Sequence, residues 1–89
     1  MIQRSISIIN QLGLHARASA KLVALASRFV SKITISHGKH KVNGKSIMGV
    51  MSLAASKGTV LHLEIEGEDE IEMDKAIEAL INAFFGEKE

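Results

Sequence analysis

The sequence predicts an α+β fold, a two-layer open-faced sandwich with the element order βαββαβα. Three observations point to it. Apolar and polar residues alternate in short segments, the pattern of strands with one buried face. Between them, apolar residues recur at helical spacing in three segments. The chain has no proline, so glycine, asparagine and polar clusters must punctuate it. Four strands apolar on one face need cover on that face only, and three amphipathic helices supply it.

Residues 2–9 form the first strand, with Ile2, Ile6 and Ile8 on one side and Gln3, Ser5 and Ser7 on the other. Arg4 shares the isoleucine parity, which places it near a frayed end. Asn10-Gln11-Leu12-Gly13 is a loop. A helix runs from Ala16 to Phe29, burying Leu22, Leu25, Ala26 and Phe29 and wetting Arg17, Lys21, Ala24 and Arg28. Ile33–Ser36 and Lys39–Val42 make a hairpin about His37-Gly38. Asn43-Gly44 breaks it, and Ser46 caps a short helix from Ile47 to about Ala54. After Gly58, Val60–Glu66 alternates cleanly, with Leu61, Leu63 and Ile65 inward. The last helix runs from about Asp69 to Phe85, with Met73, Ile77, Leu80, Ile81 and Phe84 on its apolar face. Acids in its first turns complement the helix dipole, and Gly86 closes it.

A chain of 89 residues has room for one domain, residues 1–89. The absence of cysteine excludes disulfides, thiolate metal sites and a cysteine nucleophile, and with them the usual staples of small secreted domains. The first residues lack an apolar signal region, and no apolar run can span a bilayer, so the cytoplasm is expected. The formal net charge of +1 argues against a chain dedicated to nucleic acid. The acids all lie between Glu64 and Glu89, however, and the first 57 residues contain only bases, enough for a local cationic face.

The informative segment is Leu12-Gly13-Leu14-His15-Ala16-Arg17-Ala18-Ser19-Ala20. It puts His15 where a loop becomes a helix. The first N–H groups of a helix lack intrahelical partners and make a site for an anion. Arg17 can add charge-assisted hydrogen bonds to phosphate oxygens. A neutral imidazole there can attack a phosphoryl donor, and the helix end and Arg17 stabilise the charge that arrives. The same histidine also reads as a solvated loop residue or a weak cap, and physics alone leaves the two readings about even.

Gly13-Leu14-His15-Ala16-Arg17-Ala18-Ser19 resembles the active-site signature of the HPr family, the histidine phosphocarriers of the sugar phosphotransferase system, and of their nitrogen-branch relatives. Asn43-Gly44-Lys45-Ser46-Ile47-Met48-Gly49-Val50-Met51 resembles the family's regulatory serine and docking helix, and Gly58-Thr59-Val60 and Gly67-Glu68-Asp69-Glu70 also fit. The resemblance covers essentially the whole chain. It implies a four-stranded antiparallel sheet of order 1-4-2-3 with three helices on one face. It implies a stoichiometric carrier rather than an enzyme, phosphorylated on His15 with Arg17 holding the phosphate, and needing no cofactor. The implied partners are enzyme I as donor, with phosphoenolpyruvate behind it, and enzyme IIA domains as acceptors. An HPr kinase/phosphorylase would act on Ser46, and the carrier would work as a monomer. Ala18 departs from the family, which most often has proline there. Proline pre-sets a first helical turn, but alanine is a strong helix former, so the chemistry is expected to survive.

Ser46 therefore has two compatible readings, an N-cap and a phosphorylation site. Ile47, Met48 and Met51 cannot all point inward if Val50, Leu53 and Ala54 do, so they form a candidate docking patch, rimmed by Arg17, Lys21 and Lys45. Core filling is the other reading of Met48 and Met51. Gly44-Lys45-Ser46 is not a P-loop, because the spacing back to Gly38 is one residue too long. His37 and His40 on a polar hairpin, and His62 on the open sheet face, read as solvated histidines rather than metal ligands. The rival function is a ferredoxin-like, small-molecule-binding regulatory module. An RNA-binding version would need aromatics on the sheet, and this chain has neither Tyr nor Trp and three Phe read as helical.

Overall fold

The computed structural model describes residues 1–89. Its elements are β1 (Ile2–Ser7), α1 (Ala16–Ala26), β2 (Lys32–His37), β3 (His40–Asn43), α2 (Ile47–Ser52), β4 (Val60–Glu66) and α3 (Glu70–Asn82). One 3-10 turn, Phe84–Gly86, follows α3. The sheet is antiparallel throughout, in the order β1-β4-β2-β3. Fold class, element order and strand order are those expected from the sequence and the resemblance.

Register explains the core. Ile65 on β4 lies between Ile2 on β1 and Ile33 on β2, and Leu63 lies beside Ile35, which itself pairs with Val42 on β3. These apolar rows sit beneath the helices with Leu22, Met73, Ile77, Ile81 and Phe85 in one buried cluster. Each fully buried aliphatic side chain contributes about 1.5–3 kcal/mol. The other face, with Ser5, His62 and Thr34, meets water.

Four local expectations are corrected. Arg4 is not at a frayed end: it stands within β1, opposite Leu63, and reaches Glu78 at 2.6 Å and Asp74 at 3.4 Å on α3. β1 is an edge strand, where a long side chain can run along apolar surface and keep its charge at the margin. Helix α1 stops at Ala26 rather than Phe29, because Arg28 and Phe29 bond the carbonyls three residues back. Ala18, Ser19 and Val23 join Leu22 and Ala26 on its buried face, while Leu25 and Phe29 are half-buried. Helix α2 stops at Ser52, and Ala54, with φ 49°, turns the chain so that Ala55 takes the inner place expected for Ala54. After α3, Phe84 and Phe85 both adopt left-handed φ, 55° and 54°. Helical periodicity fails there, so Phe85 rather than Phe84 fills the core. None of the three phenylalanines is on the sheet, and none lies in an α-helix.

One clamp ties the entrance of β2 to the start of α3. The Asp69 carboxylate accepts the backbone N–H groups of Val30 (3.0 Å) and Ser31 (2.9 Å) and the Ser31 hydroxyl. The Ser31 hydroxyl first, and then these N–H groups, hold the Asp69 carboxyl below the ordinary range. Gly67 passes so close that a Cβ would come within 2.4 Å of Ser31 Oγ, and its φ of 154° also favours glycine.

Candidate functional site

The loop before α1 is fixed to the rest of the protein by backbone. Leu14 donates to the Ala55 carbonyl at 2.8 Å, and the Gly13 N–H donates to Asn10 at 3.2 Å. Gly13 has φ 66°, and a Cβ there would meet the Ala55 oxygen at 2.4 Å, so only glycine lets the two segments approach this closely. This places His15 at the N-cap of α1 with extended backbone (φ −73°, ψ 178°). Its side chain does not cap the helix.

The first intrahelical bond is from Ser19 N–H to the His15 carbonyl, which leaves the N–H groups of Ala16, Arg17 and Ala18 without protein acceptors. That is the anion-binding end of an eleven-residue helix. Arg17 lies in this first turn, exposed, with no ion-pair partner. His15, the free N–H groups and Arg17 are thus together.

Two further residues belong to the site. His15 Nε2 contacts the Glu87 carboxylate. Glu87 accepts a second hydrogen bond, 2.9 Å, from Asn10 Nδ2, which also donates to the Gly13 carbonyl at 2.9 Å. Asn10 is completely buried, and its Oδ1 has no partner. The Asn10 amide first, and His15 second, hold the Glu87 carboxyl below the ordinary carboxylate range. With Nε2 engaged, Nδ1 is the ring nitrogen left free. Neither residue is marked in the sequence: Asn10 has the pattern of an ordinary loop residue, and Glu87 is one acid among many, seventy-two positions from His15.

The 3-10 turn is what delivers Glu87. Phe84, Phe85 and Gly86 are successive left-handed residues, and they reverse the chain toward the His15 loop. Left-handed non-glycine residues cost roughly 1–3 kcal/mol each, offset here by burial of the whole Phe85 side chain. Lys21 pins the turn, its Nζ donating to the Phe85 carbonyl at 2.6 Å.

Ser46 is the N-cap of α2, its Oγ accepting the Gly49 N–H at 3.1 Å. Ile47, Met48 and Met51 are exposed, Met48 by 80%, while Val50 and Leu53 fill the core. Among the expected rim bases, Lys45 Nζ donates to the Phe29 carbonyl at 2.7 Å and Lys21 is held at Phe85, which leaves Arg17 as the base with an uncommitted head. His40 meets the Ser52 hydroxyl at 2.8 Å. No group of three or more His, Cys, Asp or Glu side chains is arranged to hold a metal ion. A surface depression of about 410 Å³ opens at the β2–β3 end of the sheet, and it includes neither His15 nor Arg17. No helix is long and apolar enough to cross a membrane.

Residues 2–83 match the family model described as the PTS HPr component phosphorylation site. The phosphocarrier protein HPr of Neisseria meningitidis is 55% identical over 89 residues, covering all of both chains. The crystal structure of HPr from Thermoanaerobacter tengcongensis superposes with a TM-score of 0.95 at 48% identity, again over all of both chains. A structure of an HPr dimer from the same organism superposes with a TM-score of 0.78 at 49% identity, covering 98% of this chain and 100% of that one.

Proposed function

Because this chain belongs to the HPr family of phosphocarriers of the phosphotransferase system, we propose that it accepts a phosphoryl group on His15 from enzyme I and passes it to enzyme IIA domains. The observation that carries this reading is the site at the start of α1. A histidine with one free ring nitrogen stands beside three unpartnered N–H groups and an unpaired arginine. The free nitrogen, Nδ1, attacks phosphorus, and the bond from phosphorus to the donor's leaving group breaks. The helix end and Arg17 hold the phosphoryl oxygens on arrival and until departure. No stable product is released, so the chain is a carrier consumed and regenerated in equal numbers.

Docking falls to the neighbouring apolar patch of Ile47, Met48 and Met51, with Arg17, Lys21 and Lys45 around it. Carrier and partners then meet through adaptable methionines and complementary charge. Ser46 is the regulatory position, open to an HPr kinase/phosphorylase. A phosphate there adds about −1.5 to −2 charges at pH 7 beside the patch that must be buried against a partner. The monomer is the transferring species in this reading, and transfer takes place in the cytoplasm.

The test is a two-step transfer. With enzyme I and phosphoenolpyruvate, intact mass should show one acid-labile phosphoryl group, which a subsequently added enzyme IIA domain should remove. Absence of labelling, or a label that survives acid, would overturn the proposal.

A further inference from the structure

We infer that Glu87 is a positioning residue for phosphoryl transfer: held by buried Asn10, its carboxylate fixes the proton on His15 Nε2 and so keeps Nδ1 as the nucleophile. The inference rests on the phosphocarrier reading of His15 and deepens it.

A neutral imidazole exists in two tautomers, and only the nitrogen without the proton can attack. A carboxylate against Nε2 accepts a hydrogen bond, so it selects the tautomer with the proton on Nε2 and the lone pair on Nδ1. The carboxylate could do little if it were mobile, but its other oxygen is held at 2.9 Å by the Asn10 amide. Asn10 is itself fully buried and tied to the Gly13 carbonyl of the same loop. The left-handed residues 84–86, pinned by Lys21, bring Glu87 to this point. A buried asparagine with an orphaned oxygen and two left-handed phenylalanines are costly features, and both converge on one carboxylate–imidazole contact.

The same contact serves the phosphorylated state. When the Nδ1 lone pair forms the N–P bond, the donor's leaving group departs with the electron pair of the bond that breaks. The Nε2 proton stays in place, so the ring becomes a phosphoimidazolium facing the Glu87 carboxylate. On onward transfer the N–P bond breaks and its electron pair returns to Nδ1. The ring then leaves as neutral imidazole, because Nε2 has kept its proton. Had that proton been lost, the leaving group would be the far more basic imidazolate. The charged groups at this contact are Glu87 from the segment after α3, and Arg17 and Lys21 from α1. Helix α2 contributes none. Glu87 is the only carboxylate among them.

Two variants separate acceptor from charge. Glu87→Ala removes the acceptor, and long-range nitrogen–proton NMR of the unphosphorylated ring should show the His15 tautomers becoming mixed where the wild type holds the Nε2–H form. Glu87→Gln keeps an acceptor and removes the charge. In the phosphorylated protein the ring then lacks the facing carboxylate, so onward transfer to an enzyme IIA domain should slow. Glu87→Asp should restore part of that rate. A wild-type tautomer ratio in Glu87→Ala, or a wild-type onward rate in Glu87→Gln, overturns the inference. If wild-type protein cannot be phosphorylated at all, the carrier reading fails instead, and the tautomer measurement still decides the role of Glu87.

Discussion

Replacing Ser46 with alanine removes one defined interaction, the acceptance of the Gly49 N–H by Ser46 Oγ at 3.1 Å. An N-cap of this kind is worth about 0.5–2 kcal/mol, with about 1 kcal/mol typical. In a domain of this size, a loss of about 1 kcal/mol lowers the melting temperature by roughly 4–8 °C. Ser46→Ala should show that fall by circular dichroism yet accept phosphate from enzyme I at the wild-type rate, since Ile47, Met48 and Met51 remain exposed. Ser46→Asp should do the reverse. Aspartate caps as well as serine, and its charge is favourable near the start of a helix, so the melting temperature should hold. The charge borders the proposed docking patch, where, in that proposal, repulsion from an acidic partner and desolvation oppose association. The rate of acceptance should therefore drop. A wild-type rate for Ser46→Asp together with destabilised Ser46→Ala would show that Ser46 is a cap and nothing more.

Arg17→Ala should slow transfer with little effect on melting temperature, because the exposed side chain holds no partner; Arg17→Lys should recover only part, lacking the planar fork, and a wild-type rate for Arg17→Ala refutes the assignment. Met48→Glu should raise the apparent KM for both enzyme I and enzyme IIA while leaving stability unchanged, since Met48 is 80% exposed; loss of stability in that variant would remove Met48 from the docking surface. The Asp69 clamp predicts an acid dependence. Its folded carboxyl is held below the unfolded value of about 3.9, so its contribution is full above that value and is lost as pH falls through the folded one. Denaturant melts below about pH 4 should show less acid-induced loss in Asp69→Asn than in wild type, and equal pH dependence would contradict the clamp.

Much of the fold was legible because one period per element suffices to identify a half-buried strand or helix. Leu61, Leu63 and Ile65 alternate without exception, and their strand, like β2, is paired on both sides. Strand order was not contained in periodicity; only the resemblance supplied it. The errors at Arg4 and after α3 have two different physical causes. Arg4 breaks the alternation because an ion pair to Asp74 and Glu78 on a distant helix makes its position tolerable. Phe84 and Phe85 break the helical period because the backbone there is left-handed, which composition does not announce. At the site, the placing of His15 and Arg17 at one helix start was legible, because both lie in one local segment. The contacts of Asn10 and Glu87 were not. They depend on a chain reversal after α3 that brings residue 87 to residue 10, and no local pattern encodes a contact across that separation.

The most direct test of the account is the location of the phosphoryl group. After incubation with enzyme I and phosphoenolpyruvate, peptide mapping under alkaline conditions should place a single phosphohistidine at His15, and His15→Ala should remain folded and unlabelled. A phosphoryl group found on His37, His40 or His62, or labelling that survives in His15→Ala, would contradict it.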